Sequence, residues 1–199
     1  MSKLAGKHVT LVPLSADHHD ALAEACADGE LFKLWYTSVP SPADMRSAIA
    51  ERLEWQAAGS MQPFTVMDAN GVPVGMTTFC NIEPDVPRLE IGYTWYARRV
   101  QRTPLNTECK LLLLTHAFEE RHCLAVEFRT SFFNHASRRA IERLGAKLDG
   151  VLRCHRRHDD GSLRDTCVYS ITHAEWPTVR QHLSALLRSR KAANEPDER

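Results

Sequence analysis

The chain has 199 residues, of which 43% are hydrophobic and 25% are charged. That length supports one domain with a full core and leaves no room for two large ones. Lys plus Arg and Asp plus Glu each number 25, so the formal net charge of zero gives no reason to expect binding to nucleic acid or to an anionic membrane.

Two further features bear on the compartment. No apolar run approaches the roughly 20 residues that a membrane helix needs, and the N-terminal stretch MSKLAGKHVTLV lacks the basic and then apolar order of a signal peptide. The six cysteines are scattered, without a spacing that fits a zinc site. We therefore expect a soluble, cytoplasmic protein that binds no metal, with most cysteines buried and reduced.

The first half of the chain alternates strand patterns with helical ones. Ser15 can cap the first helix. The turn Ala69-Asn70-Gly71 is typical of a β-hairpin, so this part of the sheet is predicted to be antiparallel. The predicted elements are a strand over 8–14, a helix over 16–27, a helical region from residue 31 that continues as a helix over 43–58, and strands over 64–68 and 73–79.

The central stretch, Arg88 to His122, contains a strand of β-branched and aromatic residues, an arginine-rich turn and a strongly apolar helix that begins at Asn106. A helix N-terminus after a basic loop collects unpaired N–H groups and positive charge, which favours phosphate binding. Four consecutive leucines, 111–114, indicate that this helix packs on the sheet. The next strand, Ala125 to Thr130, is predicted to run parallel to the strand at Leu89.

The last part of the chain is predicted to contain two helices and a closing hairpin. Asn134 can cap the first helix and Thr172 the second. The hairpin is predicted to turn at Asp159-Asp160-Gly161. Helical periodicity ends after Leu187, so we expect a single domain over residues 1–187 and a polar, disordered tail over 188–199. The predicted elements are a helix over 136–144, strands over 151–157 and 163–171, and a helix that includes 176–186.

Three motifs in succession carry a resemblance to a known family: LEIGYTWY, then Gln101-x-x-Pro104-x-Asn106 leading into TECKLLLL, then EFRTSFFNHASRRAIERLGA. Together with DGVLR and DGSLRDTCVYSI, they resemble the GCN5-related N-acetyltransferases (GNAT), and most of all the branch of the ribosomal-protein alanine acetyltransferases. The resemblance extends from about Val9 to Leu187.

This resemblance implies both a fold and a reaction. The fold is the α+β (α/β) GNAT fold, with a central, mixed, mostly antiparallel twisted sheet of about seven strands and helices on both faces. The reaction is direct transfer of the acetyl group of acetyl-CoA, the cosubstrate, to a primary amine on a protein N-terminus or a small molecule. Which amine is acetylated, and whether the protein forms a homodimer, stay open.

The loop departs from the family pattern, which usually reads Gln/Arg-x-x-Gly-x-Gly/Ala, because Pro104 and Asn106 replace the glycine and the small residue. Proline removes one N–H from a phosphate cradle but suits the first turn of a helix. A plain capped helix after a solvated loop is the alternative, as is a non-catalytic CoA-binding module. The residues expected to bind the cofactor are Trp95, Tyr96, Arg99, Val100, Gln101, Arg102, Thr103, Pro104, Leu105, Asn106, Thr107, Asn134 and Ser137.

Two residues are candidates for proton transfer. By the resemblance, Glu90 takes the amine proton through water; the alternative is a surface carboxylate paired with Arg88 or another cation. The position of the family's tyrosine acid holds Ile141, whereas the branch's serine position holds Ser137, which we expect to donate to the sulfur. The alternative is that Asn134 and Ser137 only cap a helix.

The acceptor amine is expected beside Trp35 and Tyr36 and beside Arg153 and His155 of the last hairpin. Core packing is the alternative for the aromatic residues, and His155 is a second candidate base. A covalent route would need a nucleophile such as Cys109 or Cys154, and neither has an activating base nearby in the sequence, so direct transfer is predicted.

Overall fold

Short strands joined by turns build one eight-stranded sheet in the order β1-β2-β3-β4-β5-β6-β8-β7. The computed structural model describes residues 3–158 and 160–194. Each neighbouring pair is antiparallel except β5 and β6, which run parallel. The expected mixed, mostly antiparallel sheet is confirmed, with eight strands in place of about seven. The strands are β1 Leu4–Ala5, β2 Val9–Pro13, β3 Met61–Asp68, β4 Pro73–Glu83, β5 Arg88–Tyr96, β6 Ala125–Ser131, β7 Lys147–Arg157 and β8 Leu163–Thr172.

Helices α1 to α4 pack against β4, β3, β2 and β6 respectively, and α5 packs against α3. In the described part of the chain, none of them is both long and apolar enough to span a membrane. The predicted cap at Ser15 is confirmed, because its side chain accepts a hydrogen bond from the Asp17 N–H at the start of a short 3-10 turn that leads into α1. The helices are α1 His19–Ala27, α2 Met45–Ala57, α3 Leu105–Thr115, α4 His135–Arg143 and α5 Trp176–Asn194.

Three sequence predictions differ from the structure. The helical region expected from Leu31 is a single 3-10 turn, Leu31–Lys33. Pro63, predicted to precede the strand, lies inside β3. Its carbonyl accepts from the Leu14 N–H, one residue beyond the end of β2, so the proline lies where the pairing of β2 and β3 has ended. Helix α5 continues to Asn194, well into the stretch expected to be a polar tail.

Some predictions fall partly outside the described residues. The closing hairpin of β7 and β8 is confirmed, but Asp159 of its predicted turn lies outside the described residues. The same holds for residues 195–199 of the predicted tail.

Helix α3 forms the crossover between the two parallel strands. Leu113 and Leu114 are fully buried, as the run of leucines predicted, and a π-helical turn, His116–Glu120, extends the helix. Glu108 in the first turn accepts hydrogen bonds from the N–H groups of Lys7, His8 and Val9. This carboxylate therefore holds the start of α3 against the turn between β1 and β2 and the first residue of β2.

The parallel pairing of β5 and β6 is short. It joins Arg88–Glu90 to 125–127, after which β5 continues to pair with β4 alone and β6 with β8. From Ile91 onward the two strands diverge, so the sheet opens between them. The parallel direction predicted from the sequence is confirmed, and the opening positions the site described below.

Gly75 offers a test of how tightly β4 and β5 are packed here. A Cβ added at this position would lie 2.1 Å from the carbonyl oxygen of Trp95, whereas a Cβ at Gly150 would meet nothing within 4 Å. We expect Gly75→Ala to lower the free energy of unfolding by about 1–3 kcal/mol, because two paired backbones cannot both yield. Gly150→Ala should change it by less than about 0.5 kcal/mol. Urea unfolding of both variants is the measurement, and equal effects would contradict the packing argument.

Candidate functional site

Two cavities adjoin where β5 leaves β6. The first, here called the cleft, has a volume of about 350 Å³ and is lined by the second half of β5, the end of β6 and residues of α3 and α4. The second, here called the polar cavity, has a volume of about 270 Å³ and surrounds Glu90. The residues that line both are Ser38, Tyr93, Arg129 and Arg164. A ligand in the cleft can therefore reach a ligand in the polar cavity.

A β-bulge in β5 forms part of the shared wall. Thr78 pairs with Gly92 and Met76 with Trp95, so two residues of β5 oppose one residue of β4. Tyr93, one of the two, has φ 51°, which is uncommon for a residue other than glycine. Bulges bend a strand and redirect its side chains, and Tyr93 contributes to both cavities as a result.

The N-terminus of α3 provides donors for an anion, although fewer than the sequence predicted. The first intrahelical hydrogen bond runs from the Glu108 N–H to the Pro104 carbonyl. The Leu105 N–H donates to the Thr103 hydroxyl at 3.3 Å, so that amide is occupied. The helix geometry leaves the N–H groups of Asn106 and Thr107 without an intrahelical acceptor.

The arginine-rich turn is tied to α1 more than to the cleft. Both the backbone N–H and the guanidinium of Arg99 contact the carboxylate of Asp28, at 2.9 and 3.4 Å. Asp28 offsets part of the charge that Arg99 would bring to a phosphate, and the contact of Arg99 with the cofactor stays a prediction. Within the loop, Gln101 and Asn106 are the residues that line the cleft, and Gln101 Nε2 donates to the Tyr96 carbonyl at 2.9 Å. Val100, Arg102, Thr103, Pro104, Leu105 and Thr107 do not line it.

Several polar groups in the cleft wall suit a ligand with amide groups. Asn106 Oδ1 and Ser131 Oγ are buried and have no hydrogen-bond partner among the described residues. Trp95 and Tyr96, which the sequence predicted to bind the cofactor, also line the cleft. Buried polar atoms are normally paired. Asn106 Oδ1 and Ser131 Oγ therefore fit a ligand that carries hydrogen-bond donors, as the pantetheine arm of coenzyme A does.

Lys110 is a cleft residue that the sequence analysis missed. Its ammonium group is buried and donates to the Thr94 hydroxyl at 3.0 Å. Burial lowers the pKa of Lys110. A lysine among leucines reads from sequence alone as a solvent-facing residue of the helix, so no signal pointed to the cleft.

Helix α4 begins at the opposite wall. The predicted cap at Asn134 is confirmed, because its side-chain oxygen accepts from the Ser137 N–H at 3.0 Å. Asn134 and Ser137 both line the cleft. The cap uses the backbone of Ser137 and not its hydroxyl. Ile141, at the position of the family's tyrosine, also lines the cleft.

Glu90 is the buried carboxylate of the polar cavity, with 8% of its surface exposed. Asn81 Nδ2 donates to its Oε2 at 2.7 Å, and Arg129 Nε lies 3.6 Å from the same oxygen. Burial raises the pKa of Glu90 despite these two partners. Glu90 is therefore not a surface carboxylate, and the cation beside it is Arg129, since Arg88 pairs with Glu127 at 3.1 Å.

Two further titratable groups line the polar cavity. His155 contacts the Thr166 hydroxyl at 3.1 Å, and its pKa is lowered by desolvation and by nearby arginines. Burial, followed by the charge of Glu90, raises the pKa of Cys80 to about 12. The histidine is therefore neutral at pH 7, and the thiol stays protonated and is a poor nucleophile.

The structure separates the remaining predicted residues. Tyr36 lines the cleft. Trp35 does not line it: its ring packs against Tyr36, Phe133 and His158 at centroid distances of 5.6, 5.5 and 5.0 Å. Arg153, expected at the acceptor site, instead forms a salt bridge with Asp165 at 2.5 Å and lines neither cavity.

The structure also places the covalent candidates. Cys109 is fully buried, and burial raises its pKa, while Cys154 is exposed on β7 and lines neither cavity. The residues of the polar cavity that the sequence analysis did not select include Trp55, Cys80, Asn81, Tyr93, Arg129, Arg156 and Arg164.

Comparison with known proteins gives consistent similarities. The family model described as "Acetyltransferase (GNAT) domain" matches residues 8–147. A relative from Bacillus subtilis (strain 168), named "Putative ribosomal N-acetyltransferase YdaF", is 28% identical over 176 residues, which cover 85% of this chain and 94% of the relative.

Two solved structures extend the comparison. One, from T. thermophilus and described as a "putative acetyltransferase", is 33% identical, covers 94% of this chain and 97% of its own, and has a TM-score of 0.81. Mycobacterium smegmatis RimJ, solved "in complex with CoA-disulfide", has a TM-score of 0.76 and covers 89% of this chain and 88% of its own. At 21% identity it shows the similarity of fold alone.

The raised pKa of Glu90 makes stability depend on pH. Below the ordinary value of 4.5 the carboxyl is protonated in both the folded and the unfolded chain. As the pH rises further, the unfolded chain ionises first, so the folded state loses stability until Glu90 itself ionises. We expect Glu90→Gln to unfold at a higher urea concentration than the wild type at pH 7–8, with a difference that shrinks towards pH 4.5.

The control for this pH series is Glu83→Gln, which neutralises an exposed carboxylate of β4. It should shift the free energy of unfolding by less than about 0.5 kcal/mol. A gain from Glu90→Gln that does not vary with pH would mean that the ionisation of Glu90 is not its source.

Proposed function

Since the chain belongs to the acetyltransferase (GNAT) family, we propose that its cleft binds acetyl-CoA and that its polar cavity receives the amine. The protein is an N-acetyltransferase that transfers an acetyl group to an amine. We assign the two cavities in this way because they adjoin. A buried carboxylate, Glu90, lies in a cavity that shares four lining residues with the cleft.

The cleft offers separate groups for the two ends of acetyl-CoA. The N–H group of Asn106, in the first turn of α3 and on the cleft wall, suits the diphosphate. The edge of β5 beyond Glu90, where pairing with β6 has ended, leaves backbone groups for the pantetheine arm. Acetyl-CoA supplies the acetyl group as a thioester, whose thiol is a tolerable leaving group because thiols ionise near pH 8.5.

Glu90 would accept the proton that the amine loses. An amine must be neutral to attack, and a base works best when its pKa lies near the working pH. The raised pKa of Glu90 moves this carboxyl in that direction. His155 faces the same cavity from β7, and its lowered pKa keeps it neutral as a second possible base. Glu90 is preferred because it lies on β5, the strand that borders both cavities.

Ser137 would donate a proton to the departing sulfur from the first turn of α4. Its backbone satisfies the helix cap, so its hydroxyl is not needed there. The alternative function, a non-catalytic CoA-binding module, is not favoured, because the matching family and the curated relative are acetyltransferases.

We also propose a cytoplasmic location and a protein N-terminus as an acceptor. The six free cysteines suit a reducing compartment, which supports a cytoplasmic location. Transfer to a protein N-terminus has the support of the Bacillus subtilis relative, whose name refers to ribosomal acetylation. Dimerisation and the lack of nucleic-acid binding stay predictions.

The role of Glu90 can be tested by acetyl-CoA-dependent thiol release with an accepted amine. We expect Glu90→Gln to lower kcat by about 10²–10⁴-fold, the range for loss of a general base. It should also abolish the acidic limb of the pH–rate profile. In the wild type, we expect the apparent pKa of that limb to lie above the ordinary value of a carboxylate. Calorimetry should show that acetyl-CoA still binds.

Glu127 provides the matched control. It lies beside Glu90 in the parallel register, is equally buried, and pairs with Arg88 and Arg129. Because Glu127 lines neither cavity, we expect Glu127→Gln to cost less than about tenfold in kcat. Equal losses from the two variants would indicate that buried charge matters and proton transfer does not.

Ser137→Ala tests the proposed acid. The substitution keeps the N–H that caps α4, so the effect reports on the hydroxyl. We expect kcat to fall by about tenfold or more with a native thiol leaving group, and the melting temperature to stay unchanged. Asn134→Ala, which removes the cap, should instead cost about 1 kcal/mol of stability. Wild-type turnover in Ser137→Ala would leave Ser137 with a structural role only.

A further inference from the structure

The polar cavity holds more positive than negative charge. Three arginines, Arg129, Arg156 and Arg164, line it, and Glu90 is the carboxylate among its lining residues. Such an excess is unexpected in a site that must receive an amine, because a protonated amine would be repelled. The arginines therefore need an explanation beyond the transfer reaction itself.

Arg129 is accounted for by carboxylates of the sheet. Its Nη2 donates to Glu127 Oε2 at 2.9 Å, and its Nε lies 3.6 Å from Glu90 Oε2. It thus connects two neighbouring buried glutamates. This arginine is neutralised within the protein and is not the source of the excess.

Arg156 and Arg164 are not neutralised in this way. They lie directly opposite each other on β7 and β8, an arrangement in which like charges destabilise a sheet. Neither forms a salt bridge with a carboxylate in the described ranges, 3–158 and 160–194. The Nε of Arg164 is buried without a hydrogen-bond partner there. Burial and the charge of Arg156 also lower the pKa of Arg164.

An irregular stretch of β7 brings Arg156 to the polar cavity. Cys154 has φ 52°, and the register of β7 and β8 shifts between Leu152 and Arg156. In a regular strand, consecutive side chains point to opposite faces. Here His155 and Arg156 both line the polar cavity. Backbone strain of this kind persists where the surrounding structure holds it and is concentrated at functional sites.

We propose that Arg156 and Arg164 bind a carboxylate of the acceptor, so that the preferred acceptors are amines whose own molecule carries a carboxylate. This inference rests on the proposed function and names the class of substrate. Guanidinium groups match carboxylates in shape, and a ligand can approach the pair because Arg156 is exposed while Arg164 is half-buried. A carboxylate between the two arginines would relieve their repulsion and pair the buried Nε of Arg164. Polyamines, which carry only positive groups, would be disfavoured.

The carboxylate can come from two sources with the same chemistry. It is either the carboxylate of a small amino acid or an acidic side chain near the N-terminus of a peptide. A cavity of about 270 Å³ suits a small group in either case. Two pairs of acceptors separate the sources: an amino acid with its carboxamide, and a peptide with glutamate at its second position with the glutamine counterpart.

The experiment measures kcat/KM for each member of both pairs by thiol release. We expect the carboxylate member of at least one pair to exceed its neutral partner by about tenfold or more, as for a charge-assisted hydrogen bond. Arg156→Gln and Arg164→Gln should each reduce this ratio by about tenfold. Arg157→Gln is the control for net charge, because Arg157 is on the same hairpin, bonds to the Gly161 carbonyl and lines neither cavity, and it should preserve the ratio.

A second readout is independent of turnover. Calorimetry with CoA present compares the N-acetylated product of each carboxylate acceptor with that of its neutral partner. Equal affinities, or ratios that Arg164→Gln leaves unchanged, would overturn the inference even if neutral amines are acetylated well. Lack of acetyl-CoA binding and of thiol release with any amine would instead overturn the proposed function, and the product affinities would still decide the role of the arginine pair.

Discussion

The site depends on where β5 and β6 stop pairing. Two parallel strands held together along their whole length would bury every backbone group between them and leave no room for a ligand. Here the pairing covers Arg88–Glu90 only. Helix α3, the crossover that makes the strands parallel, begins where the two strands have separated, and Asn106 of its first turn lies at one edge of the cleft. One topological unit thus provides the opening, the donors for an anion and the buried carboxylate Glu90.

Irregular backbone is concentrated around the polar cavity. Among the described residues, three strand positions other than glycine have positive φ, namely Asn81, Tyr93 and Cys154, and each lies at a register shift. Asn81 and Tyr93 line the cavity, and Cys154 precedes two residues that do. Such positions cost about 1–3 kcal/mol each. The regular pairing on either side offsets that cost. The irregular positions can therefore turn side chains towards the polar cavity that a regular strand would direct to the other face.

The sequence was sufficient for features that depend on local chemistry. The hairpin turn at 69–71, the caps at Ser15 and Asn134 and the crossover helix follow from patterns within a few residues, and each is present in the structure. Features that depend on register were not predictable. Strict alternation assigns neighbours to opposite faces, whereas the bulge at Cys154 brings both His155 and Arg156 to one cavity. The pairing of Arg99 was not predictable either, because its partner, Asp28, lies at the end of a helix distant in the sequence.

Specificity and catalysis are coupled through charge in the polar cavity. The arginines favour the ionised form of Glu90 and so oppose the rise in its pKa, yet desolvation outweighs them. They also favour a neutral amine over a protonated one, which is the form that can attack. If an anionic acceptor group occupies the arginine pair, it offsets their field, so Glu90 would become a stronger base at the moment when the amine is beside it. In that arrangement the group that identifies the substrate also prepares the residue that deprotonates it.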